Sequence, residues 1–444
     1  DAVTIRRKLR DEVTADEARA AQDAEGMPFH KSYPVNTCCC RGQDCRGCPC
    51  PRSRCDTHDG RSYTQGMGFT SINPYSGETV WRTDAWDAVQ VDTALAETAA
   101  ATPAWAARPL TERCELLRRA AAVLRGRAAE WAGLITLEMG KLTREARAEV
   151  EKCAIGCEYY ADHAAAFVAD EIIRSDAGRS LVAYQPLGTV LAIMPWNFPL
   201  WQVFRFAAPS LAAGNTALLK HASNVPQCAL AIERIFTEAG FPKGVFRTLM
   251  IGAGQSEQVI ADRRVHAVTL TGSERAGRQV GAAAGQHLKK SVLELGGSDA
   301  FIVLEDADLE LTVTQAVASR FQNAGQSCIA AKRFIVVESV AEAFLSAFER
   351  AVAKLRAGDP TAGETTLAPL ARDDLRAALH RQVQESIGKG AVAVCGCQPL
   401  QRAGYFYAAS ILDRVMPGMP AYDEELFGPV AAVMIATTSN PPKA

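Results

Sequence analysis

The sequence predicts an α/β fold with a parallel sheet, and three observations support this. Short apolar stretches alternate with helical patterns through the middle of the chain, at residues 189–194, 216–220, 245–251 and 267–271. Such alternation is typical of βαβ units, in which the strands run parallel. The chain has 444 residues, of which 48% are hydrophobic, so it can bury a large core in two or three domains.

Local signals predict the elements that precede this run. Residues 69–81 alternate into a strand and turn, and a helix that opens near Pro109 places four apolar side chains on one face: Leu116, Ala120, Val123 and Leu124. A second helix is expected over residues 143–160. Residues 171–186 alternate like a β-hairpin around Asp176-Ala177-Gly178.

The longest apolar stretch, residues 188–214, has the length of a membrane span. It contains Pro195, Pro199, Pro209 and the charged Arg205. Prolines and a charge disfavour a spanning helix, so we expect a buried strand, a loop and a helix.

Composition excludes several classes of partner. The formal net charge is −2, which favours neither nucleic acid nor an anionic membrane surface as a partner. The first residues, DAVTIRRKLRDEV, lack the apolar core of a secretory signal, so a cytoplasmic location is expected. Met67 lies immediately before the enzyme-like pattern that begins at Phe69. We therefore expect Met67 to be the natural start and the preceding residues to be in-frame upstream translation.

Residues 1–66 differ from the rest of the chain. Seven of the 14 cysteines lie between residues 38 and 55, and the other seven are scattered, as reduced thiols are. One interpretation is a small metal module built on Cys45, Cys48 and Cys55 or His58. A second clean ligand pair is absent, so we expect a disordered or spurious extension and no metal.

Two segments carry the candidate chemistry. Cys328 lies in the polar, glycine-bearing stretch NAGQSC, and Glu294 lies between Leu293 and Leu295 before a glycine pair. An accessible thiol is a nucleophile, and a carboxylate tuned by apolar neighbours is a base. Each residue alone also fits a role without catalytic function: Cys328 as a small core residue and Glu294 as a solvated charge at a strand end.

Five motifs, taken together, resemble the aldehyde dehydrogenase superfamily. They are GTVLAIMPWNFPLWQVFRFAAPSLAAGNTALLKHASNVP, TLTGSERAG, LELGGSDAF, NAGQSCIAAKRF and EELFGPV, in this order. Within that family the chain is most similar to bacterial succinate-semialdehyde dehydrogenases. The resemblance extends from about Thr70 to about Ala436.

The resemblance implies a fold and a reaction. The expected fold has a Rossmann-like NAD(P)-binding domain over residues 67–293, with the hairpin as an oligomerisation element, and a truncated α/β catalytic domain over residues 294–444. Cys328 would attack the aldehyde, and Asn197 with the Cys328 N–H would stabilise the oxyanion. Glu294 would then activate water to hydrolyse the thioester. By itself, Asn197 between two prolines also fits a simple turn residue.

The same resemblance implies the cofactor site. The expected cofactor-binding residues are Trp196, Lys220, Ser223, Gly272, Ser273, Glu425 and Phe427. A helix that starts near Ser273 suits a pyrophosphate. NAD and NADP both remain open, because Ser223 stands where NAD-selective relatives carry a carboxylate.

Substrate recognition is expected to depend on Arg205, with Trp201 and Gln322 nearby in the site. The resemblance makes Arg205 a ligand for a distal carboxylate, which indicates succinic semialdehyde. We expect this guanidinium to be buried among Trp201, Phe204 and Phe206, where it needs an anionic partner. The alternative is an internal salt bridge. A second arginine found in some relatives is replaced here by Gln322, which leaves other aliphatic or aromatic aldehydes open.

The expected partners are a small aldehyde and further copies of the same chain, as a dimer or tetramer. The sequence ends in TTSNPPKA, whereas the family continues. An inactive, truncated homologue is therefore the rival hypothesis. An acyl-CoA-forming enzyme is less favoured because Glu294 supplies a hydrolytic base.

Overall fold

The computed structural model describes residues 68–436. The cysteine-rich stretch and its candidate ligands Cys45, Cys48, Cys55 and His58 lie outside the described residues, as does Met67. The hypotheses of a metal module, of a disordered extension and of a start at Met67 therefore remain predictions.

A hairpin and four helices open the described part. The hairpin pairs β1 (Phe69–Ile72) with β2 (Thr79–Thr83). The helices are α1 (Ala88–Ala107), α2 (Leu110–Gly126), α3 (Ala128–Met139) and α4 (Thr143–Phe167). On α2 the predicted apolar face is buried at Leu116, Ala120 and Leu124. Helix α4 runs past the predicted end at residue 160, because Ala161 and Ala164 continue its buried face.

The predicted hairpin is present and precedes the first large sheet. It pairs β3 (Glu171–Ile173) with β4 (Ser180–Val182) in antiparallel register. The strands that follow are β5 (Thr189–Met194), β6 (Thr216–His221), β7 (Phe246–Thr248), β8 (Ala267–Thr271) and β9 (Lys290–Glu294). The helices between them are α5 (Trp201–Ala212), α6 (Pro226–Glu238), α7 (Ser256–Ala261) and α8 (Glu274–Gln286).

This first sheet is parallel, as the sequence predicted, in the order β7-β6-β5-β8-β9. The chain moves from β5 toward one edge and returns to β8 on the other side. The carboxyl ends of β5 and β8 therefore flank a topological switch point, where open α/β sheets bind ligands. The prediction for residues 245–251 was too long, since only β7 pairs there.

The second sheet holds the nucleophile segment. Its strands are β10 (Asp299–Val303), β11 (Ala331–Val337), β12 (Val392–Cys395), β13 (Ser410–Asp413) and β14 (Val430–Ala436). The order is β10-β11-β14-β13-β12, parallel except for β12 against β13. Its helices are α9 (Leu309–Phe321), α10 (Glu338–Val352), α11 (Asp373–Gly388) and α12 (Pro420–Asp423).

The apolar stretch at residues 188–214 forms β5, a loop and α5, so that prediction is confirmed. Within residues 68–436, no helix combines the length and apolarity needed to cross a membrane.

Candidate active site

The loop that carries Cys328 has a constrained backbone. It follows α9 through the 3₁₀ turn Gln322–Gly325, in which Asn323, Ala324 and Gly325 have φ values of 53°, 52° and 73°. A side chain at Gly325 would collide with the carbonyl of Gly428, so this position requires glycine. The loop ends at Cys328, a free thiol that is partly exposed. The loop therefore leaves the Cys328 thiol partly exposed instead of burying it in the core.

Buried hydrogen bonds join this loop to the loop after β5. Asn323 Nδ2 donates to the Asn197 carbonyl at 2.9 Å and to the Gln326 carbonyl at 3.0 Å. Asn197 Nδ2 also donates to the Gln326 carbonyl, at 3.1 Å. Asn197 is 5% exposed. Its amide is therefore held next to the nucleophile loop, two residues before Cys328.

Helix α4 supports both loops from one face. Glu145 Oε1 accepts from the Asn323 N–H at 3.2 Å. One turn later, Glu149 Oε1 accepts from Leu200 N and Trp201 N, at 2.9 and 3.0 Å. The other oxygen of Glu149 pairs with Lys141, and both side chains are buried. Burial raises the pKa of Glu145 above its ordinary value.

One cavity of about 240 Å³ brings together seven of the predicted site residues. These are Cys328, Asn197, Trp196, Gly272, Ser273, Glu425 and Phe427. The wall is completed by Pro195, Gln202, Thr271, Leu295, Gly296 and Leu375. The cavity lies at the switch point of the first sheet and is closed by residues of the second.

This cavity has the features that a dinucleotide requires. Ser273 caps α8 by accepting from Ala276 N at 3.4 Å, so a helix N-terminus faces the cavity, as predicted. Trp196 and Phe427 meet edge-on, with ring centroids 5.8 Å apart. A side chain at Gly296 would collide with the Glu425 carboxylate. The Glu425 carboxylate thus packs directly against the backbone of Gly296.

Lys220 and Ser223 lie outside this cavity's wall. Lys220 is at the end of β6, and burial lowers the pKa of its ammonium. No carboxylate within the described residues forms an ion pair with it. Ser223 is exposed and lines a separate cavity with Asn224 and Arg372.

Glu294 and Arg205 lie in an adjoining cavity of about 550 Å³. Gln202 and Thr271 line both cavities, so the cavity with this pair adjoins the one with Cys328. Arg205 Nη1 lies 3.6 Å from Glu294 Oε2, and Arg205 Nη2 donates to Thr271 Oγ1 at 3.2 Å. The ion pair and the hydrogen bond hold the guanidinium at the end of β8.

Two expectations about the surroundings of this pair were wrong. The Arg205 side chain is 37% exposed rather than buried among aromatic rings. The Glu294 side chain is 56% exposed rather than enclosed by apolar neighbours. The reason is that β9, which ends at Glu294, is an edge strand.

The remaining predicted substrate residues do not line either cavity. The Trp201 ring packs under Lys152, whose Nζ is 4.3 Å from the ring centroid, and faces Gly156 of α4. Gln322 is exposed at the start of the 3₁₀ turn. Their roles in substrate binding remain predictions.

Sequence reasoning missed the buried ions that support the site. They are Glu149 on α4, Lys141 just before α4, and Arg320 and Lys332 on either side of Cys328; the half-buried Glu145 of α4 supports the site as well. The only indication in the sequence was that Lys332 lies within the motif NAGQSCIAAKRF, which also contains Cys328. Nothing in the sequence indicated which carbonyls and carboxylates they contact.

Comparisons with known proteins identify the family. Residues 62–440 match the profile of the aldehyde dehydrogenase family. A probable succinate-semialdehyde dehydrogenase [NADP(+)] of Synechocystis is 52% identical over 82% of this chain and 80% of its own length. A succinate semialdehyde dehydrogenase [NAD(P)+] of Escherichia coli is 49% identical, over 82% and 79%. The crystal structure of a Streptococcus pyogenes succinic semialdehyde dehydrogenase with NADP⁺ has a TM-score of 0.82 at 36% identity, covering 84% of this chain and 82% of that one.

Proposed function

The chain belongs to the aldehyde dehydrogenase family and is an NAD(P)-dependent oxidoreductase, and from this premise we propose that it oxidises succinic semialdehyde to succinate. The observation that carries the proposal is the cavity in which Cys328 and Asn197 face the α8 N-terminus, Glu425 and Phe427. A nucleophile, an oxyanion donor and a dinucleotide site are thus adjacent.

The residues divide the reaction between them. The Cys328 thiolate attacks the aldehyde carbon to form a thiohemiacetal, whose oxyanion is stabilised by the Asn197 amide and the Cys328 N–H. When bound, NAD or NADP accepts the hydride, and a thioester remains on Cys328. Glu294 removes a proton from the water that hydrolyses this thioester. The net reaction is aldehyde, water and NAD(P)⁺ to acid, NAD(P)H and a proton.

Several residues would hold the cofactor. Ser273 and the free N–H groups at the start of α8 suit the pyrophosphate, and Lys220 suits a ribose. Glu425 and Phe427 would hold the nicotinamide end. Because Ser223 places no carboxylate near a 2′-phosphate, NADP is accepted as well as NAD.

Arg205 supports the choice of succinic semialdehyde. A guanidinium that lines a cavity beside the nucleophile suits a distal carboxylate. The relatives named above are described as succinate-semialdehyde dehydrogenases. The Arg205–Glu294 ion pair favours one alternative, a dehydrogenase for neutral aldehydes in which Arg205 only orients the base.

We assign the cofactor domain to residues 67–293 and the catalytic domain to residues 294–444, and we propose a cytoplasmic homo-oligomer. The hairpin β3–β4 supports oligomerisation, because it exposes Ile172, Ile173, Val182 and Tyr184. The seven cysteines among the described residues are free thiols, which fits a reducing compartment.

The decisive experiment measures NAD(P)H formation with succinic semialdehyde, butanal and benzaldehyde, using both cofactors. We expect the highest kcat/KM with succinic semialdehyde. Cys328→Ser is the control that should show no turnover, since a hydroxyl is a far weaker nucleophile than a thiolate. Equal kcat/KM for succinic semialdehyde and butanal would contradict the proposed substrate, and turnover by Cys328→Ser would contradict the nucleophile.

A further inference from the structure

A buried lysine lies between the nucleophile Cys328 and Glu425, the carboxylate assigned to the cofactor site. Lys332 is the second residue of β11 and is 1% exposed. Its Nζ donates to the Cys328 carbonyl at 2.7 Å and to the Ala330 carbonyl at 3.4 Å. The same Nζ lies 3.1 Å from Glu425 Oε1. Two of the three N–H donors of this ammonium thus have carbonyl acceptors, and the charge forms an ion pair with Glu425.

A second buried cation secures the other side of the loop. Arg320 is fully buried, and its Nη2 donates to the carbonyls of Gly325 at 2.6 Å and Gly428 at 2.8 Å. Arg320 links Gly325 to Gly428, and Lys332 links Cys328 to Glu425. Both cations thus connect the loop around Cys328 to the segment 425–428. The hydrogen bonds of Arg320 are all to carbonyls, although it also feels the charge of Glu425. Lys332 differs in contacting a functional carboxylate.

The charges make this contact strong. Hydrogen bonds between ionised groups and carbonyls or carboxylates are about twice as strong as neutral ones. Removing one partner of a buried pair leaves the other charge without compensation. Whatever displaces Glu425 therefore also displaces the ammonium that holds the Cys328 carbonyl.

We propose that Lys332 is a positioning residue that couples Glu425 in the cofactor site to Cys328. The inference rests on the proposed function, in which these two residues act on cofactor and aldehyde. Lys332 is not among the residues that line the cavity with Cys328 and Glu425. It orients the Cys328 backbone and the Glu425 carboxylate relative to each other.

Two measurements that need no aldehyde test the coupling. The first is the rate at which p-nitrophenyl acetate acylates Cys328 without cofactor, followed by release of p-nitrophenolate as the acetyl thioester forms. The second is the Kd of NADP⁺, measured by calorimetry. The variants are Lys332→Met, Lys332→Arg, Glu425→Gln and the double variant Lys332→Met/Glu425→Gln. Lys243→Met is the control, since it removes an exposed lysine that pairs with Glu97 outside the site.

We expect Lys332→Met to acylate about tenfold more slowly and to bind NADP⁺ about tenfold more weakly, the loss typical of one charge-assisted hydrogen bond. Lys332→Arg should recover part of both. Glu425→Gln should also acylate more slowly, although the ester reaction uses no cofactor. The double variant should acylate no more slowly than Lys332→Met, because both changes break one link.

A purely structural lysine would give a different result. Lys332→Met would then melt at a lower temperature while the folded protein kept its acylation rate and its Kd, and this would overturn the proposal. Acylation of Glu425→Gln at the wild-type rate would also overturn the proposal. If Lys332→Met does not fold, the acylation rate of Glu425→Gln is the measurement that tests the proposal. If wild type acylates and binds NADP⁺ but does not oxidise succinic semialdehyde, the proposed substrate fails and the coupling stands.

Discussion

Arg205 Nη1 lies 3.6 Å from Glu294 Oε2, so the residue assigned to the substrate carboxylate is paired with the residue assigned to activate water. Both side chains are partly exposed, and such pairs contribute little to stability. The pair matters for the reaction instead, because a bound substrate carboxylate would compete with Glu294 for the same guanidinium. Substrate binding would thereby release the base.

The first prediction concerns Arg205→Ala. If Arg205 binds the distal carboxylate, the loss of a charge-assisted hydrogen bond of about 1.5–3 kcal/mol should lower kcat/KM for succinic semialdehyde by roughly 10- to 150-fold. Because Glu294 also loses its partner, any effect on hydrolysis should be common to all aldehydes. The informative quantity is therefore the ratio of kcat/KM for succinic semialdehyde to that for butanal.

Thr271→Val is the matched control for that experiment. It removes the hydrogen bond from Arg205 Nη2 to Thr271 but keeps the guanidinium. We expect it to change the ratio only slightly. If Arg205→Ala lowers kcat/KM equally for both aldehydes, Arg205 serves Glu294 alone and the assignment to succinic semialdehyde loses its main support.

The second prediction concerns Glu294→Gln. Hydride transfer precedes hydrolysis, so this variant should release a pre-steady-state burst of NAD(P)H close to one per active site. Steady turnover should then fall by about 10²-fold or more, within the usual contribution of a general base. Stopped-flow absorbance would measure both. A missing burst would show that Glu294 is needed before the thioester forms.

The sequence predicted the parts of the fold that follow from periodicity. The strands β5 and β8 were placed correctly because each is a short apolar run bounded by turn residues, and the start of α8 at Ser273 follows from its capping side chain. The end of β7 was missed, because apolar residues after Thr248 pack in the core without strand pairing.

The links within the site were beyond sequence reasoning. Lys332 and Glu425, or Glu149 and Leu200, lie far apart in the chain. The first pair meets because β11 and β14 are neighbouring strands, and the second because α4 packs beside α5. The exposure of Glu294 was misjudged for a related reason. Its flanking leucines suggested an apolar site, but whether β9 is covered depends on what pairs with its edge.

The third prediction concerns the buried pair beneath the Asn197 loop. Glu149→Gln keeps an acceptor for Leu200 N and Trp201 N but removes the carboxylate that forms the ion pair with the buried Lys141. Breaking such a pair typically costs about 3–5 kcal/mol, so the free energy of unfolding should fall by that order. Chemical denaturation would measure it.

The control is the double variant Lys141→Met/Glu149→Gln, which removes both charges. It should be more stable than Glu149→Gln alone, because no isolated charge remains in the core. A double variant that is less stable than the single one would show that Lys141 stabilises the fold by other contacts, such as its position 3.7 Å from the Phe198 ring centroid.

The last prediction is a pH dependence that arises from Glu145. Burial holds the pKa of this carboxyl above its ordinary value, while Lys141 and Arg144 act in the opposite direction. Below about pH 4.3, the usual pKa of glutamate, the carboxyl is protonated in both folded and unfolded protein. Folding then does not have to remove a charged carboxylate from water. As the pH rises through the raised pKa, the folded state binds more protons than the unfolded one. The free energy of unfolding must then decrease.

Glu145→Gln removes this titration and keeps an oxygen that can accept from the Asn323 N–H. The variant should therefore gain stability relative to wild type as the pH is raised from 5 to 8, measured as the difference in denaturation midpoint. The exposed Glu364→Gln serves as the control and should show no such trend. A difference between Glu145→Gln and wild type that is constant with pH, or that shrinks as the pH rises, would mean that Glu145 is charged in the folded protein throughout. In that case Lys141 and Arg144 outweigh burial, and the carboxylate holds the nucleophile loop as an anion.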